Sequence, residues 1–147
     1  MQIADFLSPD DIMPDVRASD KGRLLMDLSS RAASALQFRP ELVSDEIMKR
    51  EQLGSTGLGD GIAIPHARFH ALSKPFGILA RLRKGVDFAA IDAKPVDLVF
   101  LLLLPAAPDG EQLTALASVA RKLRDQEVAA RLRGAVDSAG IHRAITA

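Results

Sequence analysis

The sequence predicts an α/β fold: a three-layer sandwich in which helices cover both faces of a mixed central β-sheet. Residues 96–104, VDLVFLLLL, are apolar except for Asp97. A half-exposed strand would alternate, so this run reads as a central strand buried on both sides. Amphipathic helical patterns stand on either side of it in the chain. Interleaving helices with strands in this order points to helix layers packed on a sheet.

Taken in order, Ser19 is placed to cap a first helix, whose inward face carries Leu24, Leu25, Leu28, Ala32, Ala35 and Leu36 at helical spacing. Pro40 suits the first turn of a second helix, and Glu41 beside it is favoured by the helix dipole. Val43 and Ile47 face inward there, with Leu42 and Met48 as further candidates, and Gly54 supplies the stop. Four glycines lie between positions 54 and 61, followed by the short apolar run Ile62, Ala63, Ile64 that Pro65 closes. That stretch is predicted as loop running into a strand end. A strand is expected over 76–82 and a short second one over 88–91. After the central strand, Leu113, Leu116, Ala117, Ala120 and Leu123 mark another amphipathic helix. Further helices are expected over 126–133 and from Ser138 onward.

Composition narrows the function classes. The chain of 147 residues is 48% apolar, enough to build a core, and it shows no internal repeat or linker, so one domain over 1–147 is expected. Nineteen basic residues balance nineteen acidic ones, which removes the basic footprint of a dedicated nucleic-acid binder. With no cysteine there is no disulfide, thiolate nucleophile or Cys-based zinc site. The start, MQIADFLSPDD, has acids and a proline where a secretory signal needs a cationic start and an apolar run. The longest apolar stretch falls far short of the ~20 residues that span a bilayer. A soluble, cytoplasmic protein without membrane insertion is expected.

Three histidines are candidates for chemistry: His66, His70 and His142. His142 sits among Ile141, Ala144 and Ile145 in a predicted helix and reads as structural or surface. His70 follows His66 by four residues, which would share a helix face, but Pro65 opposes a helix and no third ligand is near, so no metal site is expected. His66 follows the glycine-rich GSTGLGDGIAIP, where the backbone can approach a ligand closely and present N–H groups. Its neutral ring is a competent nucleophile near pH 7. Composition alone favours the bland alternative of a hydrogen-bonded loop histidine. The glycine loop lacks the lysine of a nucleotide-binding P-loop and the glycine spacing of a dinucleotide site, so nucleotide binding is disfavoured and no cofactor is expected.

The segment from Arg50 through GSTGLGDGIAIP to His66 resembles the active-site signature of fructose/mannitol-type EIIA domains of the phosphoenolpyruvate-dependent phosphotransferase system. The likeness includes Phe6, Leu7, Ser8 and Pro9, the segment VDFAAID at 86–92, PVDLVF at 95–100 and VARKLR at 119–124. The chain most resembles the nitrogen-regulatory branch. The resemblance implies the fructose/mannitol-type EIIA fold and a phosphoryl group accepted on His66 from an HPr-like carrier protein. It implies Arg50 beside the phosphate, and regulatory target proteins such as kinases and potassium-transport components. The chemistry agrees, because phosphoryl transfer is catalysed mostly by positioning and electrostatic stabilisation. Arg50 offers a permanently charged planar fork. Further phosphate donors are expected from the hydroxyls of Ser55 and Thr56 and from loop amides, Gly57, Gly59 and Gly61 included.

One departure stands out. Family members commonly carry a second histidine where Gln112 stands here, followed by Leu113. Glutamine can donate an amide hydrogen to a phosphate oxygen but cannot carry a proton charge. Gln112 is therefore expected as an auxiliary donor, and the alternative is a binding module that acts by protein contact with impaired transfer. Arg68, where relatives usually have lysine, keeps positive charge near His66. A small-molecule hydrolase using His66 as base lacks a nearby nucleophile and paired carboxylates.

Overall fold

The computed structural model describes residues 1–106 and 110–147, with backbone alone for 110–113. In chain order the elements are β1 (Ile12–Val16), α1 (Lys21–Leu36), α2 (Pro40–Leu53), β2 (Gly57–Gly59), β3 (Ile62–Ala63), β4 (His66–Phe69), β5 (Phe76–Val86), β6 (Val96–Pro105), α3 (Gly110–Arg124), α4 (Gln126–Gly134) and α5 (Ser138–Thr146). The sheet runs β1-β5-β6-β3-β2, and β4 also pairs with β6. β5 lies antiparallel to β6, while β3 and β4 are parallel to it.

The apolar run of β6 is the centre of the molecule, as its sequence requires. From position 98 onward its side chains alternate between two cores. Val99, Leu101 and Leu103 pack with Leu24, Leu25 and Leu28 of α1 and Val43 and Ile47 of α2. Leu98, Phe100, Leu102 and Leu104 pack with α3, α4 and α5 through Val119, Leu123, Leu132 and Ile141. Two cores on the two faces of one sheet make the three layers. Each leucine fully buried here stabilises the fold by roughly 1.5–3 kcal/mol. The start of β6 carries a bulge, since the amides of Asp97 and Leu98 both donate to the Gly61 carbonyl, each at 3.0 Å.

Local chemistry sets the ends of the elements, and in places it shifts them from expectation. Asp20, not Ser19, caps α1, its carboxylate accepting from the Arg23 amide at 2.8 Å. Ala33 is buried where Ala35 was expected, and Ala35 is exposed. Likewise Ala115 and Val119 face inward from α3 while Ala117 is exposed, and Leu113 lies outside the described side chains. The glycine-rich stretch is not all loop, because β2 pairs antiparallel with β3. No strand forms over 88–91: Ala89 and Ala93 have positive φ, 51° and 60°, a conformation incompatible with a pleated ladder. β1 escaped notice because Pro14 and Asp15 interrupt its pattern, and both are tolerated at a sheet edge.

Leu101 is fully buried in the centre of β6. Leu101→Ala should lower the stability to unfolding by about 2–5 kcal/mol, read as a fall in the urea midpoint with an unchanged slope.

Candidate functional site

β3 and β4 are two successive pieces of one strand path along β6, pairing with Leu98 and Val99 and then with Leu102 to Pro105. Pro65 separates them. It has no N–H to give a ladder, but its carbonyl accepts from Leu102 at 2.9 Å. His66 is therefore the first residue of a strand held in register by the most buried segment of the protein. Alternation along β4 buries Ala67 and Phe69 against the α1–α2 core and turns His66 and Arg68 the other way.

The His66 ring is half-buried, and its Nδ1 lies 2.8 Å from the Ile64 carbonyl oxygen. A carbonyl can only accept, so Nδ1 carries the proton and donates it. Nε2 then holds the lone pair, and among the described residues it has no hydrogen-bond partner. Burial pushes the His66 pKa below the ordinary 6.5; the bond to Ile64 opposes this, and the neighbouring Arg50 charge adds to the lowering. The ring is thus neutral at pH 7. Since the unfolded chain binds this proton more readily, His66 detracts from stability only as pH falls through 6.5, and not above it.

A cavity of about 380 Å³ opens at this ring, lined by Lys49, Arg50, Leu53, His66, Arg68 and Leu104 among others. Arg50 stands in the last turn of α2, where a cation is favoured by the helix dipole, and its Nη1 donates to the Gly54 carbonyl at 2.9 Å. One arm of the guanidinium is thereby anchored at the helix end. Leu53, 84% exposed, gives the rim an apolar contact.

The remaining expected donors are placed differently. The Ser55 hydroxyl donates to the Phe88 carbonyl at 2.6 Å and accepts from the Gly57 amide at 3.1 Å. Thr56 is buried, its hydroxyl and amide both donating to the Glu51 carboxylate. Their hydrogens are already used inside the fold. Gly57 packs so closely on Ala90 that an added Cβ would lie 2.8 Å from the alanine methyl. Gly59 and Gly61 adopt positive φ in and beside the β2–β3 hairpin, against Asp92 and against Arg133 and Asp97. Gly61 lines a different cavity from His66. The side chain of Gln112 lies outside the described residues. His70 is exposed, and His142 is tied by Nε2 to the Leu7 carbonyl at 2.9 Å. Sequence reading missed Glu51 and Lys21. Glu51 stands next to Arg50 in the signature, but its burial and its partner Thr56 show only once the chain is folded; Lys21, far off in the chain, carried no signal.

Comparison with known proteins decides the family. Residues 5–147 match the family model described as "Phosphoenolpyruvate-dependent sugar phosphotransferase system, EIIA 2". This chain belongs to that family. Among its EIIA relatives, the nitrogen regulatory protein of Bradyrhizobium diazoefficiens is 41% identical over 97% of this chain and 93% of its own. The crystal structure of nitrogen regulatory protein IIA-Ntr from Neisseria meningitidis superposes with a TM-score of 0.93 at 32% identity, covering 98% of this chain and 99% of that one. The mannitol IIA protein of Escherichia coli shares the fold, with a TM-score of 0.77 at 22% identity over 94% of this chain and 97% of that one. The chain is thus a nitrogen-regulatory type of EIIA domain and a component of a phosphotransferase system. Among the described residues of this EIIA domain no helix is long and apolar enough to cross a membrane.

Ring nitrogen NMR should find the His66 proton on Nδ1 at pH 7.5 and a titration midpoint below 6.5. Arg50→Leu, which removes a neighbouring positive charge, should move that midpoint upward.

Proposed function

We propose that this EIIA domain is a regulatory phosphocarrier, in which Nε2 of His66 accepts a phosphoryl group from an HPr-like protein. The observation that carries this reading is the pairing of a half-buried histidine, its Nδ1 proton committed to the Ile64 carbonyl, with Arg50 in one surface cavity. In the transfer a nitrogen–phosphorus bond forms at Nε2 as the bond to the donor's nitrogen breaks, its electron pair returning to the donor. Charge on the three equatorial oxygens is met by Arg50, with Arg68 close by. Because Nδ1 keeps its proton, the phosphorylated ring is cationic and a good leaving group, so onward transfer remains open. The glycines from Gly57 to Gly61 serve this site by shaping the loop, and Gln112 is the auxiliary donor.

The output in this reading is regulatory and cytoplasmic. The phosphate adds up to two negative charges to a patch that carries Lys49, Arg50 and Arg68. Such a change separates the partners of the two forms. The relatives named nitrogen regulatory proteins support a regulatory output; targets such as kinases and potassium-transport components are what the resemblance of the signature implies.

Incubation with phosphoenolpyruvate and the cognate carriers should give an acid-labile adduct of one phosphoryl group on the wild type and none on His66→Ala. Arg50→Ala should slow its formation by about 10²–10³-fold, the usual effect of removing one charge-stabilising donor. Absence of an adduct on the wild type would leave a module acting by contact alone. Gln112→His is then the informative variant, expected to restore phosphorylation without altering partner binding.

A further inference from the structure

Arg50 and Glu51 are neighbours on α2, and a step of about 100° around the helix sends them to opposite environments. Arg50 lines the cavity at His66, whereas Glu51 is buried, with 4% of its side chain exposed. Its carboxylate is fully engaged. Lys21, at the start of α1, meets Oε2 at 2.8 Å. The Thr56 hydroxyl donates to Oε1, and the Thr56 amide donates to Oε2 at 3.3 Å. Lys21 is itself fixed, donating to the Phe88 carbonyl at 3.2 Å with its ammonium 4.5 Å from the centre of the Phe88 ring. A buried carboxylate with a cation and two N–H or O–H donors is a rigid anchor, since each partner would be costly to leave alone.

The anchor does not stop at Thr56. The Thr56 carbonyl accepts from the Ile64 amide at 3.1 Å, and the Ile64 carbonyl accepts from Nδ1 of His66 at 2.8 Å. We propose that Glu51, acting through Thr56 and Ile64, is the positioning residue for His66: it fixes the Ile64 carbonyl and thereby the tautomer that leaves Nε2 free for the phosphoryl group. Glu51 touches neither His66 nor the incoming group. Its part is to clamp α1, α2 and the 54–65 loop together so that one carbonyl points at Nδ1 and nowhere else. The proposal rests on the phosphocarrier reading for its kinetic consequence and on geometry alone for the tautomer.

The test uses the full chain in four forms: wild type, Glu51→Gln, Thr56→Val and Thr56→Ser, each checked for folding by urea denaturation. Ring nitrogen NMR at pH 7.5 should show His66 protonated on Nδ1 in the wild type and in Thr56→Ser, and a mixture of the two tautomers in Glu51→Gln and Thr56→Val. With phosphorylated HPr-like donor at saturation, the last two should transfer roughly 10- to 100-fold more slowly at an unchanged KM for the donor, with Thr56→Ser near wild type. Folded variants that keep the pure Nδ1 tautomer, or that lose only KM, overturn the proposal. If Glu51→Gln does not fold, Thr56→Val decides, because it leaves the Glu51–Lys21 ion pair in place. Failure of the wild type to accept phosphate would sink the phosphocarrier reading while the NMR arm still judges this one.

Discussion

The pairing of the 62–69 segment with β6 is the constraint on which the rest depends. β6 is so apolar that it can only be a central strand, and a central strand must be paired along both edges to satisfy its amides and carbonyls. β5 covers one edge along its length. The other is covered by β3 and β4, two short pieces with a proline between them. The ladder at Leu102 fixes where His66 begins β4, and the pleat fixes which way its ring points. Placement of the ring is thus a by-product of burying leucines, which contribute far more free energy than any contact the ring itself makes.

Around that placement the structure separates two tasks that lie close together in the chain. Positive charge stands at the surface, in Arg50 and Arg68 on the wall of the His66 cavity. The hydrogen bonds that reach the His66 ring run into the interior, through the backbone of Ile64 and Thr56 to the carboxylate of Glu51. A helix is well suited to this division, because successive residues diverge in direction while remaining rigidly linked. The cost of burying the Glu51 carboxylate is offset because both its oxygens find partners, in Lys21 and in the Thr56 hydroxyl and amide.

The fold was legible wherever a strong pattern coincided with deep burial. The run at 96–104, the stripe through Leu24, Leu25 and Leu28, and the proline and glycine that bound α2 all carried the right assignment. The pattern failed where burial is partial. Ala35 and Ala117 are small enough to sit on either side of a stripe boundary, and β1 carries Pro14 and Asp15 on an edge where they do no harm. The strand expected over 88–91 failed for a different reason: Phe88 is pulled wholly inside, and the chain turns sharply at Ala89 to reach the surface again. Of the candidate site, His66 and Arg50 were brought into one cavity. The hydroxyls of Ser55 and Thr56 could not be assigned from sequence, because Phe88 and Glu51, their partners, are known only after folding.

The glycines of the signature answer to different masters. At Gly61 the backbone has φ of 81°, and a Cβ there would lie 2.7 Å from the Arg133 guanidinium and 2.8 Å from the Asp97 carboxylate, while Arg133 also donates to the Asp60 carbonyl at 2.8 Å. That absent methyl group makes room for a salt bridge stitching α4 to the sheet, on the side of the hairpin away from the histidine. A stretch of letters that looks like one catalytic word therefore spells two things at once. Damage to its last glycine would reach the cavity at His66 only by loosening the scaffold, a broken hinge-pin rather than a missing tool.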